Sequence, residues 1–480
     1  VQTGRTRASD APDTAVTPSI RWRAVGAVAA FAAGLRVVWV LFASRAPRGL
    51  ADPVIYLHSA DSIANGGGYT SLLGEPTAYY PPGYPYFLGA VQWALDLIGQ
   101  GAHLVMVVGL LQALLGGVAA GALVVAGDLL LPARPVTDGG PALRRPGGVF
   151  VGLLLACWPN LVLHTPLVLS ESLFVAGVCV LTATLFLWTR HTIDGGGSRV
   201  GVLAVLTVVS TALCTWVRPQ SVLLVLPAAA LAWLLGGLGW RRTLRGAAWV
   251  ALGVLVAVLP WTLRNAVVMD AFVPMSTNTG DNLCIGYHTG ATGGFRLTDD
   301  CATEGRYVDG PAVEVARDAE LRDRTISWIL EHPAQVPALA LRKLGATFAH
   351  DTDAIAAWES YGADTHLGDG MRTTLRWVSD LYYWAVGVAS LVGVAFVVAE
   401  ALRRRRERPW PTTPTLAVLT VAWWCTGWIV PVLFFGDERF KIPMVPAACL
   451  LAAVAVDRLV ARWAHGDADT SADSAGRVSP

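Results

Sequence analysis

Long apolar runs separated by short polar connections dominate this chain, and they predict helices that cross a membrane. Ten such runs lie at 24–43, 103–131, 149–167, 169–189, 200–217, 220–237, 246–264, 377–399, 413–434 and 443–463. At about 1.5 Å of rise per residue, runs of this length suit a hydrocarbon core roughly 30 Å thick. They lack the alternation that marks the strands of a membrane barrel. Lipid offers the backbone no hydrogen-bond partner, so helices that satisfy their own N–H and C=O groups are the expected structure. The predicted fold class is an all-α polytopic membrane protein, a bundle of about 10–11 transmembrane helices.

Charge orients that bundle. The Arg-bearing connections at 21–23, 132–145, 190–199, 239–245 and 403–408 fall on the cytoplasmic side by the positive-inside rule. Ten spans then alternate consistently at the cell membrane, with both termini cytoplasmic. One more apolar segment, 83–100, would invert the later helices if it crossed. It is expected as a juxtamembrane or re-entrant helix on the outer face.

The outer face receives a first loop from Ser44 to Gln100, a long second loop from Asn265 to Arg372, and a short turn from Phe435 to Lys441. Within the long loop, Glu314 to Leu330 reads as a helix, and 334–349 reads as an amphipathic helix lying on the membrane. The predicted organisation is a disordered cytoplasmic N-terminus at 1–20 and an N-terminal module at 21–264 that carries the outer loop 44–100. An outer loop region at 265–372, C-terminal spans at 373–463 and a flexible tail at 464–480 follow. The first run is long and ends without a small-residue cleavage site, which reads as a signal anchor. The sequence has no clear internal repeat, which argues against a two-fold transporter.

Composition narrows the chemistry. The chain is 54% hydrophobic and 15% charged, with a net charge of +1. No basic-aromatic patch suggests nucleic acid. No spacing of His, Cys, Asp and Glu suggests a metal site, and phosphate and dinucleotide loops are missing, so no cofactor is expected. Five of the seven cysteines (Cys157, Cys179, Cys214, Cys425 and Cys449) sit in apolar runs as expected packing residues. Cys284 and Cys301 fall in the long outer loop. A disulfide between them and a pair of free thiols both remain open.

Charges at the membrane are costly and therefore informative. Asp52 follows the first span, with Tyr56 one helical turn later and the aromatic-proline stretch Pro76-Thr77-Ala78-Tyr79-Tyr80-Pro81-Pro82-Gly83-Tyr84-Pro85 beyond. Arg36 lies inside the first span, Glu171 starts a span, and Arg218 and Arg264 end spans. Asp437, Glu438, Arg439 and Lys441 crowd the last outer turn. The outer face thus gathers acids and guanidiniums where a lipid phosphate would sit, and Arg can hold phosphate oxygens bidentately.

Simpler readings stand beside these. Asp52 before Pro53 suits a turn, Glu171 after Ser170 suits a helix cap, and Arg36 could snorkel. Arg218 and Arg264 suit interfacial anchors, and the tyrosines Tyr79, Tyr80, Tyr84 and Tyr86 suit an aromatic belt. His58 reads as a polar loop residue.

The ordered set of motifs resembles the GT-C glycosyltransferases that use lipid-phosphate sugars, in particular bacterial relatives of protein O-mannosyltransferases and of the lipid A aminoarabinose transferase. Four stretches carry the resemblance. They are Asp52 to Tyr69 continuing into Pro76–Pro85, Leu169 to Phe174, Pro260 to Asn265 leading into Ser276–Leu283, and Glu438 to Pro443. They extend over most of the chain. Many relatives carry Asp-Glu at the first-loop position, whereas here Pro53 follows Asp52.

The resemblance implies that Asp52 is the catalytic base, and that Arg218, Arg264 and Arg439 contact the donor phosphate. Tyr56, Tyr79, Tyr80, Glu171, Glu438 and Lys441 complete the expected substrate site. The implied reaction moves a sugar from a polyprenyl-phosphate donor to an acceptor hydroxyl at the outer membrane face, with inversion. The residues do not name the sugar: a hexose or a pentose, mannose and arabinose among them, would fit. The acceptor could equally be a glycan, a glycolipid or a protein. Two other readings remain: a lipid or solute transporter or flippase, and a degenerate GT-C protein that binds lipid-linked sugar without catalysis.

Overall fold

The computed structural model describes residues 20–131, 147–195, 199–220, 225–298, 301 and 310–475. The N-terminal stretch 1–19, expected to be disordered, and the connection 132–145 lie outside the described residues. Among the described residues, seven helices are long and apolar enough to cross a membrane. These are Trp22–Ala43, Gly101–Leu130, Glu171–Ile193, Trp240–Val268, Asp369–Arg406, Thr412–Leu433 and Glu438–Trp463. Three shorter apolar helices, Gly147–Ala156, Gly201–Val217 and Val225–Leu235, occupy the remaining predicted spans. The chain is an all-α polytopic membrane protein; its only extended pairings among the described residues are isolated bridges, Thr70 with Pro76 and Gly294 with Gly436.

Two predicted spans are interrupted. Within 149–167, the helix Gly147–Ala156 stops, Trp158 turns extended, and Pro159 opens the short helix Pro159–His164. Proline lacks an N–H and pushes the preceding residue out of the helical region, so the break belongs at this point. The carbonyls freed there need donors, and Arg36 supplies them. Its Nη1 donates to the oxygens of Ala32 (3.2 Å) and Ala156 (2.9 Å), and Nη2 donates to that of Leu155 (3.3 Å). Arg36 is thus buried in the bundle as a cap on a broken helix rather than snorkelling to the surface. The 413–434 run divides similarly, into Thr412–Thr426 and Ile429–Leu433.

Segment 83–100 forms the 14-residue helix Gly83–Asp96, about 21 Å long and so short of a full crossing. At the other end of the chain the last helix, Val445–Ala475, runs into the stretch expected as a flexible tail. Once nucleated by its buried half, a helix extends at the gain of one hydrogen bond per residue.

The bundle packs through small residues. A Cβ on Gly117 would come within 2.7 Å of the Ala29 carbonyl oxygen, and one on Gly393 within 2.0 Å of that of Leu451. These glycines let the first span approach the second predicted one, and Asp369–Arg403 approach the last helix. Of the apolar-run cysteines, Cys179, Cys214 and Cys449 are buried, but Cys157 and Cys425 are exposed on the bundle's surface rather than packed inside.

A second, smaller core caps one end of the bundle. There the loop helices Asp52–Ala64 and Gly83–Asp96 pack on each other, and Tyr56, Tyr80 and Tyr84 join Ala354, Ile355 and Trp358 from the helix Asp353–Trp358. The long loop adds the helices Pro311–Glu331 and Val336–Phe348, matching both helices expected there. Cys284 and Cys301 are joined in a disulfide.

Candidate active site

Asp52 opens a helix. Ala51 is the extended N-cap, and Pro53 fills a first-turn position where no backbone donor is needed. The Pro that suits a turn here therefore starts a helix and holds the carboxylate at its mouth. Asp52 Oδ1 accepts from the Tyr80 hydroxyl at 2.8 Å, and Oδ2 accepts from Arg439 Nη1 at 3.1 Å. Tyr80 is fixed in turn by ring contacts with Tyr56 (5.0 Å between centroids) and Tyr79 (4.8 Å). Burial, with Asp52 nearby, pushes the Tyr56 phenol well above its ordinary range, so it stays protonated beside the carboxylate.

Arg439 connects three acids. Besides Asp52, it lies 3.9 Å from Glu171 Oε1, while its Nε and backbone N reach Asp437 Oδ1 at 3.4 and 2.8 Å. Glu171 is also bonded by Arg218 Nη2, through a short contact. Arg218 further donates to Ser170 Oγ from Nε (3.2 Å) and Nη2 (3.1 Å) and lies 5.8 Å from the Phe174 ring centroid. Ser170 therefore does not cap the helix Glu171–Ile193; its hydroxyl serves the arginine instead. Asp52, Tyr80, Arg439, Asp437, Glu171, Arg218 and Ser170 thus form one continuous polar network drawn from five separate stretches of chain.

Exposure falls steeply across the network. The Asp52 side chain is 27% exposed and Arg439 20%, but Glu171 only 1%. Glu171 Oε2 is buried and accepts no hydrogen bond among the described residues. A buried carboxylate oxygen without a donor is costly.

Other expected site residues lie elsewhere. Tyr79 donates to Asp281 Oδ2 at 2.7 Å. Arg264 turns to the aromatic-proline loop, donating to the oxygens of Thr77 (2.8 Å) and Tyr69 (3.1 Å) and covering the Trp261 ring at 4.7 Å. Glu438 accepts from the backbone of Asp353 at 3.0 Å and from that of Thr352. Lys441 Nζ reaches Asp351 Oδ1 at 3.2 Å and donates to the oxygens of Thr347 (3.1 Å) and His350. Glu438 and Lys441 thus anchor the segment 347–353 rather than facing Asp52. His58, expected as a polar loop residue, lies instead within the helix Asp52–Ala64, where its Nε2 pairs with the Ser71 carbonyl at 2.8 Å.

Asp437, already singled out with the charged last outer turn, steers Arg439, and two further groups near the network gave no signal in the sequence. His164 sits 2.9 Å from Asp353 Oδ2, and against the effect of burial its imidazole holds that carboxyl below the usual range. Tyr361, left-handed at φ 54° and within electrostatic reach of Arg439, Asp52 and Glu171, lies beside the site. Both come from long-range contacts. Among the described residues, no three His, Cys, Asp or Glu side chains converge on one point as metal ligands would.

The loop that carries Tyr80 is held by Glu314. Its carboxylate accepts from Thr77 Oγ1 (2.5 Å), Ala78 N (2.9 Å) and Thr277 Oγ1. Burial still pushes Glu314 up despite these donors. Glu314→Ala strands three donors and should cost about 2–3 kcal/mol, read as a lower melting temperature, with Glu314→Gln losing less.

Lys343 is fully buried, over the Tyr287 ring at 3.0 Å and 3.4 Å from the Val432 oxygen, and burial pushes its ammonium down to about 6. The unfolded chain holds that proton up to about pH 10.4, so the folded state binds fewer protons between the two values and stability rises with pH across that window. Lys343→Met should raise stability at pH 7 by at least about 1 kcal/mol, with the gain shrinking towards pH 10. Melting curves from pH 6 to pH 10 that run parallel for the two proteins would refute it.

No protein-family model and no curated protein matches the chain. Among solved structures, it is similar to ArnT from Cupriavidus metallidurans bound to undecaprenyl phosphate. That match has 16% identity over 95% of this chain and 81% of that one, with a TM-score of 0.40. It is also similar to the apo state of the same protein, with 17% identity over 91% and 78% of the two chains and a TM-score of 0.38.

Proposed function

We propose that the chain is a membrane glycosyltransferase that moves a sugar from a polyprenyl monophosphate to an acceptor hydroxyl. The observation that carries this reading is the half-open carboxylate of Asp52, bonded to Tyr80 and Arg439 and joined through Arg439 to the buried Glu171–Arg218 pair. Such a site offers a base, two guanidiniums and a free acceptor oxygen at one end of an apolar bundle. Those are the groups that transfer from a lipid phosphate requires.

The donor phosphate takes the place of Asp52 at Arg439 and engages Arg218 beside it. Released from its cation, Asp52 becomes a stronger base. It takes the acceptor hydroxyl proton as that oxygen bonds to the anomeric carbon, and the bond from that carbon to the phosphate oxygen breaks. The electron pair leaves on the phosphate, whose charge the arginines stabilise. Attack opposite the leaving group inverts the anomeric centre. Glu171 Oε2 accepts a sugar hydroxyl, which fixes the ring for attack.

The positive-inside reading places this site on the outer face of the cell membrane, with the N-terminal module 21–264 and the loop region 265–372 contributing to it and both termini in the cytoplasm. The test is transfer of radiolabelled sugar from a panel of polyprenyl-phosphate donors, mannose and arabinose included, by purified protein in vesicles. Transfer from one donor supports the reading and names the sugar. Donor binding without transfer from any of them leaves a binding protein, and neither binding nor transfer leaves a transporter.

A further inference from the structure

The opposite end of the bundle holds a cavity of about 260 Å³, lined by none of the residues of the site above. It opens between the helices Asp369–Arg403, Thr412–Thr426 and Val445–Ala475. Its apolar lining includes Phe396, Val397, Val418 and Val454, and its charged lining is Arg404 and Arg458 with the carboxylates Glu400 and Asp457. We propose that this cavity binds one anionic glycerophospholipid, its phosphate against Arg404 and Arg458 and an acyl chain along the apolar wall.

Three observations carry the assignment. Arg404 is built in rather than loose. Its Nε bonds Glu400, its Nη1 lies 3.4 Å from Glu407, and its carbonyl accepts from the buried indole of Trp410 at 2.8 Å. Arg458 faces it from the last helix. It lies within electrostatic reach of Glu400, but Glu400 is already occupied by Arg403 (2.8 Å) and Arg404, and Arg458 closes no ion pair among the described residues.

The cavity also sits beside the run 403–408, which holds five arginines and one glutamate. That excess favours an anion, and a guanidinium can bind phosphate with two parallel hydrogen bonds. The apolar part of the lining fits an acyl chain, which a free phosphate would leave empty. Basic pockets between spanning helices suit lipid headgroups for this reason. The proposal is independent of the glycosyltransferase reading.

The test uses the full-length protein in nanodiscs of equal phosphatidylglycerol and phosphatidylcholine, extracted and washed, with retained lipid measured by mass spectrometry. Wild type should retain phosphatidylglycerol over phosphatidylcholine, and Arg458→Gln should lower that preference about fivefold, as loss of one basic contact implies. Val418→Trp, which fills the cavity and keeps every charge, should lower it as well. Arg405→Gln, exposed and outside the cavity, should leave it unchanged. Equal retention of both lipids by wild type would overturn the proposal. So would a loss in Arg405→Gln matching that in Arg458→Gln, which would mark a diffuse basic surface. Displacement of the retained lipid by soluble glycerol phosphate at equal concentration would reassign the site to a free phosphate.

Discussion

Asp52→Asn should abolish sugar transfer, lowering the rate by about 10²–10⁴, the usual worth of a positioned general base. The substitution keeps the oxygen that accepts from Tyr80 and removes only the charge and the proton-accepting capacity. The side chain is 27% exposed, so the loss of charge should leave the fold intact, and the melting temperature should stay within a few degrees of wild type. Tyr80→Phe is the graded companion. It removes one hydrogen bond at 2.8 Å and should reduce transfer far less, because the base remains. Transfer by Asp52→Asn at the wild-type rate, in a protein that melts normally, would remove Asp52 from the chemistry.

Arg439→Gln should be nearly as damaging, by about 10²–10³ in transfer, the usual worth of a group that stabilises developing charge. Unlike Asp52→Asn, it should also destabilise. Arg439 lies among Asp52, Asp437 and the buried Glu171, and removing the shared cation leaves three acids facing one another. Breaking a buried pair costs about 3–5 kcal/mol, and partial exposure together with Arg218 at Glu171 should hold the loss towards the lower end. Arg439→Lys should recover stability more than activity, since an ammonium supplies charge but not two parallel donors. The double variant Asp52→Asn with Arg439→Gln should melt higher than the sum of the single losses predicts, because removing the acid relieves the repulsion. Strict additivity would mean that the 3.1 Å contact carries no coupling. Arg264→Gln separates the two arginine roles: that side chain holds loop carbonyls, so melting should fall with little change in transfer once the protein is folded.

Much of this architecture was legible in the sequence because it follows from local chemistry. Runs of apolar residues in lipid must be helical whatever they later touch, and the amphipathic stretch at 334–349 declared its helix by periodicity. Asp52, Glu171, Arg218 and Arg439 stood out because charge beside a membrane span is costly unless it is used. Sequence could not separate Arg439 from its neighbours Glu438 and Lys441. All three share one turn, and only the direction of each side chain sends Arg439 to Asp52 and the others to the segment 347–353. Arg36 was ambiguous for a similar reason. Its role depends on a helix break more than a hundred residues away, which Pro159 signals but does not locate in space.

The sequence by itself determined the class of protein, the helices, and the residue types gathered near the loops, since hydrophobicity and charge act locally and add along the chain. The tertiary structure decided which of those charges meet. Asp52 and Arg439 are separated by 387 positions, and no periodicity spans that distance. Their contact arises because the loop helix Asp52–Ala64 and the turn before the last span pack at the same end of the bundle. His164 and Tyr361 entered the site's surroundings by the same route, through packing that brings residues distant in sequence within electrostatic reach of Glu171 and Arg439.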